Sequence, residues 1–169
     1  MSLVEKRYPY AEAYEIALKV LEELKPHCER IEIAGSLRRK KADIGDIDMV
    51  LINKPYSTGL FESGIATVIN QWQKVSGELP CKHIERILPE GIKLDIYITT
   101  EENWGNIYAM RTGSKDYSHK VLGNGWVRQG FKSDGGYLFR DGERYEVREE
   151  KDLFKLIGVS YVEPENRNL

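Results

Sequence analysis

The stretch that decides the fold runs from residue 34 to residue 52 and reads AGSLRRKKADIGDIDMVLI. It begins with a Gly-Ser turn at Gly35 and Ser36, passes through four consecutive basic residues, and ends in an apolar run that opens with Asp46 and Asp48. The β-branched residues on both sides of the turn are typical of strands. The stretch therefore predicts two short strands joined by a turn, with charged side chains gathered around it.

The two aspartates are the first indication of a site. Alternate residues of a strand share one face, so Asp46 and Asp48 are expected to project side by side. Two like charges at that spacing repel each other, and a fold keeps them mainly where a cation neutralises both. Mg²⁺ takes one or two carboxylates and completes its shell with water and phosphate oxygens. The pair therefore predicts a magnesium site.

The turn before the aspartates has the chemistry of a phosphate site. Gly35 lets the backbone come close to a ligand, Ser36 offers a hydroxyl and an N–H, and Arg39 offers a charge-assisted hydrogen bond. Taken singly, an Asp-x-Asp pair, a Gly-Ser turn or a basic run is usually ordinary solvated surface. Their order and close spacing favour a nucleoside triphosphate site instead.

A third acid follows in residues 91–98, GIKLDIYI. The alternation puts the aliphatic side chains on one face and Lys93, Asp95 and Tyr97 on the other. If this strand lies beside the Asp46 strand, three carboxylates converge. Three carboxylates suffice for two metal ions about 3.5–4 Å apart, the arrangement used for in-line displacement at phosphorus.

Composition limits the alternatives. The chain has 169 residues, 41% of them hydrophobic, and a net charge of −2. These values are ordinary for a soluble globular protein, and they argue against one that coats nucleic acid indiscriminately. No apolar run reaches the ~20 residues needed to span a bilayer. The two cysteines lack zinc-site spacing, so we expect reduced thiols in an intracellular protein without membrane contact.

Charge is unevenly distributed, however. Residues 111–132 contain five Lys or Arg and one acid, Asp116. A local basic surface of this kind can hold a phosphate backbone even when the whole protein is slightly acidic. Without the upstream motif, it would be read as an ordinary solvated helix surface.

The periodicity predicts an α+β fold with a mixed sheet flanked by helices. In the first part we expect helices at 9–25 and 60–75, strands at 31–35 and 46–52, and a hairpin formed by 81–88 and 92–98. In the second we expect helices at 103–110, 114–129 and 149–156, and a hairpin of 137–140 and 143–147 turning at Asp141-Gly142. The predicted catalytic subdomain is 1–104, and a small C-terminal α/β subdomain is 105–169.

With these blocks in place, the chain resembles the family X DNA polymerases, the polymerase beta-like nucleotidyltransferases. The resemblance covers about residues 31–168. It rests on five blocks in order: 35–39 (GSLRR), 45–48 (GDID), 93–95 (KLD), 111–114 (RTGS), and 161–164 (YVEP) with Arg167. It implies a nucleotidyltransferase palm in 1–104 and a thumb in 105–169. Only about thirty residues precede the Gly-Ser turn, so a minimal palm-plus-thumb form without lyase activity is expected.

The resemblance also implies roles for individual residues. Asp46 and Asp48 would bind two Mg²⁺ ions, for which Mn²⁺ can substitute; Asp95 would bind the catalytic one and help to deprotonate the primer 3′-hydroxyl. The implied nucleotide contacts are Gly35, Ser36, Arg39, Gly45, Arg111, Thr112, Gly113, Lys115 and Ser118. The implied DNA contact is Lys93, near the primer-terminal phosphate. Lys120 and Arg128 are predicted to contact DNA because they belong to the basic surface of residues 111–132. Met110-Arg111 and Ser118 depart from the family pattern, in which aromatic residues and an asparagine are usual.

The function expected from the sequence is that of a monomeric, Mg²⁺-dependent DNA polymerase for DNA repair. It would add dNMP to a primer 3′-hydroxyl on gapped or primed DNA by two-metal in-line transfer, wherever the genome resides. A nucleotidyltransferase acting on a small molecule or protein is the alternative, and it would need an acceptor pocket rather than a basic groove. A non-catalytic nucleotide- or DNA-binding module is a third class.

Overall fold

The computed structural model describes residues 5–55 and 64–169, and the chain divides into two compact units, Met1–Ile98 and Thr99–Leu169. Each unit combines helices with β-sheet, and the larger sheet is mixed. This architecture agrees with the predicted α+β class. Within the described ranges, no helix combines the length and apolar character required to cross a bilayer.

The first unit is built from seven strands and three helices among its described residues. The strands are β1 (Tyr8–Pro9), β2 (Cys28–Ile33), β3 (Asp43–Ile44), β4 (Asp46–Asn53), β5 (Gln73–Ser76), β6 (His83–Ile87) and β7 (Lys93–Ile98). The helices are α1 (Tyr10–Leu24), the single turn α2 (Gly35–Arg38) and α3 (Ile65–Ile69). A short 3₁₀ turn, Lys25–His27, joins α1 to β2.

Five of these strands form one mixed sheet in the order β2-β4-β7-β6-β5. Strands β4 and β7 run parallel, and the other neighbouring pairs run antiparallel. In the parallel pair Asp46 lies level with Lys93 and Asp48 level with Asp95. The two predicted acidic strands are therefore neighbours, and their charged residues project from the same face.

The opposite face of this sheet forms the core of the unit. It contributes Ile47, Met49 and Leu51 from β4 and Leu94 and Ile96 from β7, all completely buried. Helix α1 packs against this side with a stripe at helical spacing: Ala13, Ile16, Ala17, Val20 and Leu24. Burial of this apolar surface fixes which face of the sheet remains for charged residues.

The first unit departs from the expected elements in two places. The helix expected at 60–75 is wrong, because only Ile65–Ile69 is helical and Gln73–Ser76 is an edge strand paired with β6; residues 60–63 lie outside the described residues. The strand expected at 31–35 begins earlier, at Cys28, and ends at Ile33. Helix α1, strand β4 and the β6–β7 hairpin are confirmed.

The second unit contains four α-helices and a three-stranded antiparallel sheet. The helices are α4 (Trp104–Thr112), α5 (Lys115–Tyr117), α6 (Asn124–Arg128) and α7 (Glu150–Ile157). The strands are β8 (Lys132–Asp134), β9 (Tyr137–Arg140) and β10 (Glu143–Tyr145), in the order β10-β9-β8. A π-helical segment, Ser118–Gly123, links α5 to α6. Strand β8 was not predicted, whereas the β9–β10 hairpin was.

A buried ion pair holds the end of the second unit together. Arg167 is completely buried and donates to both carboxylate oxygens of Glu150, at 2.6 and 3.4 Å. Its Nε donates to the Val162 carbonyl at 2.8 Å. The rings of Phe154 and Tyr161 cover the guanidinium. The tail motif at 161–167 is therefore anchored to helix α7 by charge and by packing.

We expect Arg167→Ala to destabilise the second unit by about 3–5 kcal/mol, because it removes the buried arginine charge that pairs with the Glu150 carboxylate. The control is Arg128→Ala, which removes an exposed arginine of the same unit and should change stability by less than about 0.5 kcal/mol.

The measurement is urea unfolding followed by tryptophan fluorescence in a Trp72→Phe background. The emission then comes from Trp104 and Trp126, both in the second unit. Equal losses of stability in the two arginine variants would contradict the assigned role of the ion pair.

Candidate functional site

One face of the five-stranded sheet carries a cluster of charged side chains, which we name the polar face. It consists of Asp46 and Asp48 from β4, Lys93 and Asp95 from β7, and His83 and Glu85 from β6. The three aspartates that the sequence predicted as metal ligands are thus on adjacent strands. Strand β6 adds two residues that sequence reasoning missed.

Lys93 lies among the carboxylates of the polar face. Its Nζ is 2.9 Å from Asp95 Oδ2, 3.4 Å from Glu85 Oε1 and 3.9 Å from Asp46 Oδ2. Burial lowers the pKa of Lys93, but the hydrogen bond to Asp95 and the negative charges of Asp95 and Asp46 outweigh it and hold the pKa above its usual value. The ammonium is therefore a permanent cation at this position.

Asp46 shows that the cluster is not fully neutralised. Its pKa is raised, mainly by burial and next by the negative charge of Asp95, while Lys93 acts in the opposite direction without cancelling these effects. A raised carboxyl pKa means that the charged form is disfavoured in the fold. A further cation near Asp46 would stabilise the charged form of its carboxyl.

Asp95 is held more tightly. It is only 3% exposed, its Oδ1 lies 2.7 Å from His83 Nε2, and its Oδ2 accepts from Lys93. A buried carboxylate persists only when such partners replace its lost hydration. The strand alternation alone suggests a solvent-facing residue, but the neighbouring strands bury it.

Asp48 lies directly against the Gly-Ser turn. A Cβ built on Gly35 would come within 1.9 Å of Asp48 Oδ2, so position 35 has no room for a side chain. Gly35 also has a φ of +59°, which side-chain-bearing residues adopt at a cost. The Ala34 N–H donates to the Asp48 carbonyl at 2.8 Å and fixes the turn to β4.

The other predicted phosphate-binding residues surround this turn. Ser36 is half-buried in the single turn α2, and Gly45 comes immediately before β4. Burial lowers the pKa of Arg39, while the charges of Asp48 and Asp46 act in the opposite direction. The Arg39 guanidinium is therefore within electrostatic range of both carboxylates.

His83 and Glu85 come from the register of the β6–β7 hairpin. The turn closes with a hydrogen bond from the Leu88 N–H to the Ile92 carbonyl, and counting outward from it sets Glu85 opposite Asp95. The hairpin and its turn were predicted from the sequence, so the register could have placed these two residues on the face of Asp95. The sequence motifs do not include them. In the described part of the chain, His83, Glu85 and Asp95 have ligand atoms that all lie within 4.8 Å of one another.

The donor set of the polar face fits a hard divalent cation. Its carboxylates supply oxygen ligands, and the ammonium of Lys93 already lies between two of them. The compact three-ligand group formed by His83, Glu85 and Asp95 does not include Asp46 or Asp48. Asp46, Asp48 and Asp95 remain the candidate magnesium ligands on the strength of their shared face.

The nucleotide residues predicted in the second unit gather at the end of α4. Arg111 and Lys115 are exposed, whereas Thr112 is completely buried and donates through its hydroxyl to the Tyr108 carbonyl at 2.7 Å. Ser114 caps α5: its Oγ accepts from the Tyr117 N–H at 3.1 Å. The segment is thus a hydrogen-bonded turn with two exposed basic residues.

The same turn is joined to the tail motif. The Ser114 N–H donates to the Arg167 carbonyl at 3.0 Å, and the Leu169 N–H donates to Ser114 Oγ at 3.2 Å. The two sequence blocks at 111–114 and 161–167 are therefore in contact within the second unit, although about fifty residues separate them along the chain.

Gly113 and Ser118 have a packing role at this turn. Ser118 is 6% exposed and its hydroxyl donates to the Met110 carbonyl at 2.8 Å. A Cβ on Gly113 would come within 2.7 Å of the Ser118 Oγ. Both residues hold the turn closed, and a contact from Ser118 to a nucleotide stays a prediction.

The predicted DNA-contacting residues of the second unit are on its surface. Lys120 and Arg128 are exposed, and the Lys120 ammonium lies 3.4 Å from the Asp116 carboxylate. An exposed pair of this kind contributes little to stability, so Lys120 can change partner at small cost. Lys93, the third predicted DNA contact, is held in the ion pairs of the polar face.

Comparison with known proteins bears on the second unit. Residues 108–168 match the sequence model of the DNA polymerase beta thumb, a region shorter than half of the chain. A search among curated proteins finds no match to the chain. The second unit is therefore similar to a polymerase thumb, and the match points to a polymerase-like protein that associates with DNA.

The charges of the polar face predict opposite effects for two similar substitutions. Asp46→Asn should raise the stability of the metal-free protein at about pH 7, because the ionised carboxyl is disfavoured in the fold. Asp95→Asn should lower stability by about 1–3 kcal/mol, because it removes the charge of the carboxylate that lies nearest to the Lys93 ammonium.

The sign for Asp46 follows from its pKa, which is higher in the folded protein than the ordinary value of 3.8. The gain from Asp46→Asn should therefore be present at about pH 7 and shrink as the pH falls towards the ordinary pKa, where the wild-type carboxyl becomes protonated. Urea midpoints in EDTA at several pH values give the comparison. A gain that is independent of pH would contradict the electrostatic explanation.

Proposed function

We propose that this protein is a nucleotidyltransferase of the DNA polymerase type, which adds a dNMP to a primer 3′-hydroxyl on gapped or primed DNA. The observation that carries the proposal is the parallel pairing of β4 with β7, since it aligns Asp48 with Asp95 on one sheet face. The thumb-like sequence of residues 108–168 favours DNA as the acceptor. An intracellular role in DNA repair, wherever the genome resides, belongs to the same proposal.

In this proposal Asp46, Asp48 and Asp95 hold two Mg²⁺ ions, and Mn²⁺ can replace them. Their carboxylate oxygens suit a hard cation, and the raised pKa of Asp46 is relieved when positive charge is added beside it. When bound, such ions neutralise phosphate charge and lower the pKa of the attacking hydroxyl. The protein supplies the positions of the ligands and keeps Lys93 close by as a further cation.

The reaction joins the primer 3′-oxygen to the α-phosphorus of the nucleotide and breaks the bond to pyrophosphate, which departs on the opposite side. Asp95 is the group we assign to accept the hydroxyl proton. Gly35, Ser36, Arg39 and Gly45 would hold the triphosphate. Arg111, Gly113 and Lys115 would line the nucleotide, and the buried Thr112 and Ser118 would act through the turn that they hold together. Positioning and charge neutralisation are the main requirements of phosphoryl transfer.

We expect Asp46→Ala and Asp48→Ala to lower nucleotide transfer at least about a hundredfold while the fold is retained, because each removes a carboxylate that the proposed ions need. Asp95→Ala should be impaired to a similar degree but should keep nucleotide affinity, because the other two aspartates remain. Primer extension on nicked, gapped and blunt DNA and a nucleotide titration measure both effects.

The control is Asp134→Ala, which removes an exposed aspartate of the second unit and should leave transfer unchanged. Retention of a tenth or more of wild-type transfer by Asp46→Ala would overturn the assignment of the site. Transfer to a small molecule or protein, with none to DNA, would favour the alternative acceptor. DNA binding without any transfer by the wild-type protein would indicate a non-catalytic module.

DNA affinity should be modest and should fall steeply with salt, because the binding charge is local and the net charge is −2. Each phosphate contact contributes about 0.9 to the slope of log K against log salt on duplex DNA. Lys120→Ala and Arg128→Ala should each weaken binding and reduce the size of that slope by about 0.9, the contribution of one phosphate contact.

Fluorescence anisotropy at a series of salt concentrations measures these slopes. The control is Lys155→Ala, which removes an exposed lysine on α7 of the same unit. If all three variants bind as the wild type does, the basic segment is only a solvated surface.

A further inference from the structure

The Asp95 carboxylate is held at both of its oxygens by different groups. His83 Nε2 lies 2.7 Å from Oδ1, and Lys93 Nζ lies 2.9 Å from Oδ2. Asp95 is 3% exposed, so these contacts, rather than water, determine the orientation of its carboxylate group. The two oxygens are therefore distinguished by their partners.

His83 is itself fixed by a neighbouring ring. It stacks on Tyr97 with ring centroids 4.6 Å apart and planes inclined by 3°. The two residues face each other across the β6–β7 hairpin, so the stack follows from the register. Because the His83 side chain is 40% exposed, burial does not hold the ring, and the stack and the contact with Asp95 do. Both together set the direction of Nε2.

Glu85 gives Lys93 a second carboxylate. Lys93 Nζ is 3.4 Å from Glu85 Oε1, and Ser76 Oγ donates to Glu85 Oε2 at 2.5 Å. Because Ser76 and Lys93 both donate to Glu85, its carboxylate is fixed beside the Lys93 ammonium. Lys93 can thus leave Asp95 Oδ2 without losing every ion-pair partner.

We infer that His83 is a positioning residue for Asp95: it holds Oδ1, while Glu85 retains Lys93, so that Oδ2 becomes available to a divalent cation and to the primer hydroxyl. This inference rests on the proposed function, and it adds two residues of β6 to the site. Hydrogen-bonded partners of a ligating carboxylate orient it and commonly change metal affinity or activity by about 10–100-fold when removed. His83 acts through Asp95 and makes no contact with substrate in this assignment.

The test compares His83→Leu, which removes the hydrogen bond at similar bulk, with His83→Gln, whose amide can reach the same oxygen. We expect His83→Leu to lower kcat about 10–100-fold and to weaken Mn²⁺ binding about tenfold, with the nucleotide KM nearly unchanged. His83→Gln should recover both quantities to within about threefold of the wild type. The matched control is His27→Leu, a histidine outside the polar face.

Mn²⁺ affinity is measured by electron paramagnetic resonance of the free ion, without DNA or nucleotide, so that it does not depend on turnover. A second pair of variants leaves His83 in place: Tyr97→Phe retains the stacked ring, and Tyr97→Leu removes it. Tyr97→Leu should shift kcat and Mn²⁺ affinity in the same direction as His83→Leu, and Tyr97→Phe should not. This pair tests the inference even if His83→Leu does not fold.

The outcomes separate the two proposals. Wild-type turnover together with unchanged kcat and Mn²⁺ affinity in His83→Leu overturns the positioning role and leaves the polymerase proposal intact. Absence of wild-type turnover overturns the polymerase proposal, whereas Mn²⁺ affinity that falls in His83→Leu and recovers in His83→Gln still supports the positioning of Asp95. Equal effects of Tyr97→Phe and Tyr97→Leu contradict the role assigned to the stack.

Discussion

The pairing of β4 with β7 is the constraint on which the rest of the site depends. Parallel strands hold their residues level, and here the ladder aligns Asp48 with Asp95. A slip of one residue would turn Asp95 to the apolar side and put Leu94 or Ile96 on the polar face. The core prevents this, because Ile47, Met49 and Leu51 are completely buried on the other side. Hydrophobic packing on one face thus determines the position of charge on the other.

The same constraint creates an electrostatic problem that the polar face solves only in part. Carboxylates from three strands converge, and Lys93 is the cation within 4 Å of three of them. The pKa of Asp46 is raised first by burial and then by the negative charge of Asp95, which Lys93 does not cancel. Because burial and like charge disfavour the ionised carboxylate, binding of a positive ligand beside it is energetically favoured. This preference is the physical link between the sheet and the proposed chemistry.

Much of this could be predicted from the sequence, because the informative patterns are local. Helix α1 follows from an apolar stripe, the β9–β10 turn from Asp141-Gly142, and the shared side of Asp46 and Asp48 from strand alternation. These features need no knowledge of distant neighbours. The α+β class follows from them in turn.

The parts that could not be predicted depend on tertiary contacts. The residues of β5 continue a helical spacing in the sequence, but pairing with β6 makes them an edge strand, and Val75 is left 49% exposed. The contact of Gly35 with Asp48 requires the fold, since neither residue signals the other. Glu85 lies between the predictable and the unpredictable features. Its place opposite Asp95 is a tertiary contact, but it follows from counting back along the hairpin from the turn.

Lys93 has a consequence for the proposed binding of a cation. The space between Asp95 and Asp46 already has a positive occupant, so arrival of another cation is an exchange and not a simple filling. The polar face can therefore form during folding without waiting for an ion, and its assembly is uncoupled from ion supply. Lys93 occupies the position of the proposed cation in the metal-free protein, and its ammonium can remain paired with Glu85 after it is displaced.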